Sequence, residues 1–277
     1  MGSGPAQAPA DHRLDHDGFS TFFLETGAGP TVVLIHGSGP GVSGVVNWGG
    51  TLASGLRHSF RLIAPDIIGF GETRALYPGP LDHATRVRQL ISFIDAQGGP
   101  VHLVGNSLGG GLALAVAHQR PDLVRRMVLM GTIGIRFPIS PGLEQVWAYT
   151  PSVDNMRRLI DLFVYDKTLI TDELVQRRFQ ASAVPSAHDR YAASFPSPRQ
   201  RYLDEAALDE AALATIDHPV LLIHGREDRV IPWRETSGRL VELLPDAEFH
   251  LFPRCGHWTQ IERDRDFEWS VGRFLSL

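Results

Sequence analysis

Six short apolar runs, none of them strictly alternating, limit what this chain can fold into. They are TVVLIHG (Thr31 to Gly37), FRLIAPD (Phe60 to Asp66), VHLVGNS (Val101 to Ser107), VRRMVLMG (Val124 to Gly131), PVLLIHG (Pro219 to Gly225) and AEFHLFP (Ala247 to Pro253). Runs of this length without a period of two suit strands buried on both faces, as in a parallel sheet. Parallel neighbours need crossover connections, usually helices. Helical patterns duly lie between the runs, from Ala84 to Gln97, from Leu108 to Gln119 and over RDFEWSVGRFLSL at the C-terminus. The alternation predicts an α/β, mostly parallel, doubly wound sheet. GFSTFFLETG (Gly18 to Gly27) reads instead as an antiparallel strand at the sheet edge.

From Phe137 to His218 the alternation stops. Helical periodicity with proline breaks continues there without a convincing strand, which predicts a helical insertion between two sheet strands. Placed over the carboxyl ends of the strands, such an insertion would be a lid. The expected organisation is a flexible leader over 1–17, the first part of the core over 18–136, the lid over 137–218 and the second part of the core over 219–277.

With 277 residues, 43% hydrophobic and 21% charged, the chain is large enough for a sizeable core. A net charge of -5 without a basic block gives no footprint for nucleic acid. The single cysteine, Cys255, excludes an intrachain disulfide and gives no support to an oxidising compartment. Neither a signal-peptide pattern nor a bilayer-length apolar run is present, so a cytoplasmic protein without a membrane partner is expected. The arginine pairs 125–126, 157–158 and 177–178 read first as solvated helix faces.

Gly105-Asn106-Ser107-Leu108-Gly109 lies between a buried run and a helical pattern, the context of a nucleophile elbow. The glycines let strand and helix backbones approach, while a strained turn holds the serine oxygen above the sheet. A base and an acid should follow in the order acid, then histidine. Asp228 and His257 occupy those places at the ends of two later runs. Asp228 would accept the hydrogen bond of His257 Nδ1–H and hold its tautomer, and His257 would take the proton of Ser107 as general base. Glu227 is the rival acid, one position along the turn. The backbone N–H groups of Ser38, in the loop His36-Gly37-Ser38-Gly39-Pro40-Gly41, and of Leu108 are expected to hold an oxyanion.

Gly39 to Gly44 also matches Gly-x-Gly-x-x-Gly, but VVNWGG after it does not read as a helix start, which argues against a dinucleotide cofactor. His12, His16, Asp11, Asp15 and Asp17 have no standard ligand spacing and read as solvated charge rather than a metal site. Cys255 reads as a packing residue. No cofactor and no metal are expected.

HGSGPG (36–41), GNSLGG (105–110), HGREDRVIP (224–232) and CGHWTQIE (255–262) together resemble the α/β-hydrolase fold and, within it, the meta-cleavage product hydrolases of aromatic degradation. The resemblance runs from Gly18 to Phe274 and includes the insertion phrases FPISPGLEQVWAYTPS, FVYDKTLITDEL and FPSPRQR. It implies cofactor-independent hydrolysis of a carbon–carbon bond in a small-molecule dienoate, by a homodimeric enzyme. It also implies a polar subsite for the dienoate carboxylate, with Gly37, Gly39, Asn47, Asn106, Arg178 and Trp258 as binding residues. Arg178 thereby leaves the class of solvated charges, and Arg177 stays in it. The chain departs from the family pattern at Leu108, where methionine or phenylalanine is common, and at Gly49-Gly50, where bulkier residues are. The rival readings are a carboxylesterase, which has no need of the cation, and a ligand receptor on the same fold.

Overall fold

The computed structural model describes residues 8–277. In chain order the elements are β1 (Ala10–His16), β2 (Phe19–Thr26), β3 (Thr31–Ile35), α1 (Gly44–Ala53), β4 (Arg61–Pro65), β5 (Arg74–Ala75), α2 (His83–Asp95), β6 (Val101–Asn106), α3 (Leu108–Gln119) and β7 (Val124–Met130). Then come α4 (Pro141–Trp147), α5 (Val153–Phe163), α6 (Asp172–Ser182), α7 (Pro185–Ser194), α8 (Gln200–Ala206), α9 (Glu210–Leu213), β8 (Val220–Gly225), α10 (Ser237–Leu243), β9 (Ala247–Phe252), α11 (Thr259–Glu262) and α12 (Asp264–Leu275). The strands form one sheet in the order β1-β2-β4-β3-β6-β7-β8-β9, with β5 beside β2. From β4 to β9 all neighbours are parallel.

Alternate residues of each central strand serve opposite layers. Val32 and Leu34 of β3 pack with Trp48 and Leu52 of α1 and with Phe267 and Val271 of α12. Val33 and Ile35 pack on the other face with residues of α2 and α3. Burial on both faces is why the runs of β3, β4, β6 and β8 lack a period of two, whereas β9, at the far edge of the sheet, is only partly buried. The segment between β7 and β8 is helical, α4 to α9 with no strand among them, and its Leu143, Val146, Trp147, Ile160 and Phe163 join the second layer's core.

The sequence reading needs correction at two places. Residues 10–16, expected inside the flexible leader, form β1, so the edge strand is β1 and not β2. A two-residue turn with positive φ at Asp17 (39°) and Gly18 (80°) closes the hairpin, the conformation that Asp-Gly favours. His16 bonds Ser92 Oγ and Thr21 Oγ1, both at 2.8 Å, and His12 stacks on Phe23. These histidines are thus engaged in packing, and no cluster that could hold a metal exists among the described residues. Residues 1–7 of the expected leader lie outside the described residues.

The second correction concerns VVNWGG, which is helical: α1 starts at Gly44, with Ser43 as its N-cap. Strand, glycine loop and helix therefore do follow one another as in a dinucleotide site. The helix terminus is filled, however, by the protein's own carboxylate, since Asp66 Oδ1 accepts the Gly44 N–H at 2.6 Å. A Cβ at Gly41 would fall 2.7 Å from the Ser182 N, so α6 lies directly on the loop. No helix among the described residues is long and apolar enough to cross a membrane.

Candidate active site

The strand β6 ends at Asn106 and α3 begins at Leu108, leaving Ser107 alone to make the turn with φ 54° and ψ -112°. A non-glycine residue there is strained, and its neighbours hold it in place. Its N–H donates to the Met130 carbonyl at 2.9 Å, and its own carbonyl accepts from Gly110 and Ile133. A Cβ at Gly109 would lie 2.2 Å from the Ile35 carbonyl oxygen, and one at Gly105 would lie 2.5 Å from the Gly109 oxygen. Both glycines are thus demanded by backbone contact, which at Gly109 is the reason for weakening α3 in its first turn.

Asp228 follows β8 and His257 follows β9. Asp228 Oδ2 lies 2.7 Å from His257 Nδ1, and Oδ1 accepts the N–H groups of Val230 and Ile231 at 2.7 and 2.9 Å. The carboxylate has no exposure. Burial would push it up, but the His257 charge and the hydrogen bonds from His224 and His257 outweigh burial and hold it well below the usual carboxylate range. Glu227, the rival acid, turns away and accepts the Cys255 N–H and the Arg226 Nε–H. Cys255 is fully buried, and burial pushes its thiol well up, as suits a packing residue.

One cavity at the carboxyl ends of the parallel strands brings together Ser107, His257, Gly37, Ser38, Gly39, Asn47, Asn106, Arg178 and Trp258. Asp228 and Leu108 do not line it. Asp228 lies behind His257, and Leu108 opens α3, where the first N–H groups lack intrahelical partners. Leu143 and Val146 of α4, Phe163 of α5, Val42 and Val230 complete the wall.

Arg178 is 9% exposed, and no carboxylate pairs with it among the described residues. Its Nε has no partner, nor has the buried Nδ2 of Asn47, whose Oδ1 accepts the Gly37 N–H at 3.3 Å. The guanidinium sits 5.1 Å over the Trp258 ring. Burial, with Arg177 nearby, pulls it down to about 10, so it remains a cation at neutral pH. A desolvated cation and two spare donors beside a serine form a receptor for an anion.

The chain is also similar to a family of known proteins. A model described as alpha/beta hydrolase fold matches residues 30–264. The chain is 45% identical to a 2-hydroxymuconate semialdehyde hydrolase of Pseudomonas sp. (strain CF600), covering 94% of this chain and 91% of the relative. The chain belongs to the α/β-hydrolase fold, among the meta-cleavage product hydrolases. A 2-hydroxy-6-oxo-2,4-heptadienoate hydrolase of Pseudomonas putida is also 45% identical, over 94% of each chain. A solved meta-cleavage product hydrolase of Pseudomonas fluorescens IP01, a serine-to-alanine mutant complexed with acetates, superposes with a TM-score of 0.93. That protein is 43% identical, over 96% of this chain and 97% of its own.

Several residues around the site escaped the sequence reading. His36 is buried and neutral, its Nδ1 donating to the Gly37 carbonyl at 2.7 Å and its Nε2 accepting the Ile67 N–H at 2.9 Å, which fixes the loop carrying Ser38. His224 sits behind Asp228 with Nε2 3.2 Å from its Oδ2, while its Nδ1 meets Ser237 Oγ at 2.8 Å. The repeated His-Gly at the ends of two apolar runs was the available signal. Phe163 stacks on both His257 and Trp258, and Trp147 Nε1 donates to Ser38 Oγ at 2.9 Å. Nothing in their spacing announces these last contacts.

Proposed function

We propose that this protein hydrolyses the C5–C6 bond of 2-hydroxy-6-oxohexa-2,4-dienoates, releasing 2-hydroxypenta-2,4-dienoate and formate or a short carboxylic acid. The observation that carries this reading is Arg178, a buried and unpaired cation in the cavity that Ser107 and His257 share. An ordinary esterase has no use for it, whereas a dienoate brings the missing carboxylate. The names of the relatives support the same substrate class.

In this reading Arg178 and Asn47 Nδ2 bind the carboxylate end. The proton of the 2-hydroxyl moves to C5, giving the keto form. Ser107 Oγ then attacks C6 as His257 takes its proton, with Asp228 holding the imidazole tautomer. The N–H groups of Ser38 and Leu108 hold the oxyanion. As the C5–C6 bond breaks, its electron pair runs back through the chain to O2, which takes the proton from His257. Water, again deprotonated by His257, hydrolyses the acyl-serine. The helices α4 to α6 would act as a lid that keeps bulk water from the carbanionic stage. A cytoplasmic location and a homodimeric state belong to the same proposal, and light scattering of the purified protein checks the dimer.

The test is loss of the dienolate colour with ring-fission products of catechol and 3-methylcatechol, run with no other protein present. Multiple turnover is expected, with folded Ser107→Ala slower by several orders of magnitude. Unchanged dienoate colour beside rapid hydrolysis of simple esters would make the protein a carboxylesterase. Binding without turnover would make it a receptor.

A further inference from the structure

A second cavity, of about 470 Å³, lies between α1 and α6 on the outer side of the catalytic one. Asn47, Arg178 and Trp258 line both, so these three side chains form the shared wall. On the outer side stands Arg177, exposed, and no acidic side chain lines the space. The buried Oε1 of Gln260, another lining residue, has no partner.

Two glycines of α1 face this cavity. Glycine inside a helix is destabilising relative to alanine, so each position needs a reason. At Gly44 the reason is contact, since a Cβ would come within 2.5 Å of the Ala64 carbonyl oxygen. At Gly50 a Cβ would meet nothing within 4 Å, and at Gly49 only Val45 Cγ2 at 3.9 Å. Packing does not require either glycine. What a side chain at these positions would occupy is the cavity itself.

We propose that this cavity is the port through which the anionic dienoate reaches Arg178 and its anionic product leaves, with Arg177 as the outer capture residue and Gly49 and Gly50 keeping the passage clear. The proposal rests on the dienoate reading above. An anion met first by an exposed cation, and then by a desolvated one, passes down a gradient of attraction, because the same charge pair is stronger away from water. Arg177 is thus a positioning residue that acts on encounter and not on bond cleavage.

The test compares kcat/KM for the catechol-derived dienoate from about 20 mM to about 0.5 M salt, a range over which exposed charges become screened. Arg177→Gln is expected to lower kcat/KM three- to tenfold at low salt while holding kcat, with the gap closing at high salt and Arg177→Lys restoring most of it. Arg125→Gln removes the same charge at the start of β7, the opposite end of the sheet, and serves as the comparison. If the two glutamine variants share one salt dependence, the capture role is overturned. Gly50→Trp is expected to lower kcat/KM at least tenfold, and Gly50→Ala to leave it near wild type. A folded Gly50→Trp, matched by circular dichroism and melting, that works at the wild-type rate overturns the port; Gly49→Leu replaces it if it does not fold. Inactivation of Ser107 by the neutral reagent phenylmethylsulfonyl fluoride separates this proposal from the substrate reading. Slower inactivation in Gly50→Trp supports the port whatever the substrate, and an unchanged rate counts against it.

Discussion

The Phe163 carbonyl, at the end of α5, accepts a 2.7 Å hydrogen bond from the backbone N–H of His257. The helical insertion therefore holds the histidine as well as covering it. A Cβ at Gly256 would stand 2.4 Å from that carbonyl oxygen, so glycine is required where the two segments touch. Glu262 ties them further, with Oε1 accepting from Gly256 at 2.7 Å and Oε2 from Tyr165 and Asp166 at 2.7 and 3.0 Å. Arg229, beside Asp228, donates to Asp161 on the same helix.

Glu262→Ala should loosen both segments at once. Losing charge-assisted bonds at a partly exposed site costs about 1.5–3 kcal/mol of stability. We expect a lower melting temperature and kcat reduced by about tenfold, with KM little changed because Arg178 is untouched. A variant that melts earlier yet keeps wild-type kcat would separate this anchor from catalysis.

Asp228→Asn retains the size of the side chain but offers an amide where His257 Nδ1–H needs a carboxylate. The wrong tautomer is then favoured, and turnover should fall on the order of 10³- to 10⁴-fold. Substrate binding should persist, measured as dienoate affinity in a Ser107→Ala background.

Arg178→Met removes an unpaired buried cation and fills its space with a flexible apolar chain. Stability should rise by about 1–3 kcal/mol, because an uncompensated charge is lost. The same change should lower kcat/KM for dienoates by about 2–5 kcal/mol in transition-state binding. Hydrolysis of neutral esters should be spared. A variant that melts lower and loses ester and dienoate activity alike would contradict the anion-binding role.

Acid should unfold the protein through its buried histidines. Burial pulls His36 and His83 down from 6.5 to about 4, so both stay neutral in the fold while the unfolded chain takes up protons below pH 6.5. Stability is full above pH 6.5 and falls as pH drops toward 4. Asp66 opposes them: burial raises it to about 6, so the folded state binds its proton first. One histidine's worth is left, about 1.4 kcal/mol per pH unit, and His102, also lowered, adds to it. Urea midpoints measured from pH 6.5 to 4.5 should decline accordingly, and His83→Gln should flatten the slope.

Small C6 substituents should be preferred over phenyl. Leu143, Val146 and Phe163 close the apolar part of the cavity, and fitting a ring there requires displacing them, at roughly 1–3 kcal/mol. That predicts about ten- to hundredfold discrimination in kcat/KM between catechol- and biphenyl-derived substrates. Val146→Ala should narrow the gap. Equal rates in the wild type would remove the steric argument.

The α/β alternation, the elbow at Ser107 and the order Ser107, Asp228, His257 were legible in the linear sequence because each depends on neighbours in the chain. Buried strands need unbroken apolar runs, a tight strand-to-helix turn needs glycines at fixed offsets, and strand ends put polar residues above the sheet. The hairpin at Asp17-Gly18 was legible on the same terms and was passed over beneath a charged, polar segment. The helix at Gly44 had a local signal in its N-cap Ser43, obscured by the glycines around and within it, and the carboxylate of Asp66, 22 residues away, adds a bond to its first N–H that no local pattern shows. The bonds from Phe163 to His257 and from Trp147 to Ser38, and the place of Arg177 in an outer cavity, join segments about 80 to 130 residues apart in sequence. No local propensity encodes such contacts. They follow from how α4 to α6 pack over the sheet, a choice made by the shape and burial of whole surfaces rather than by any short stretch of residues.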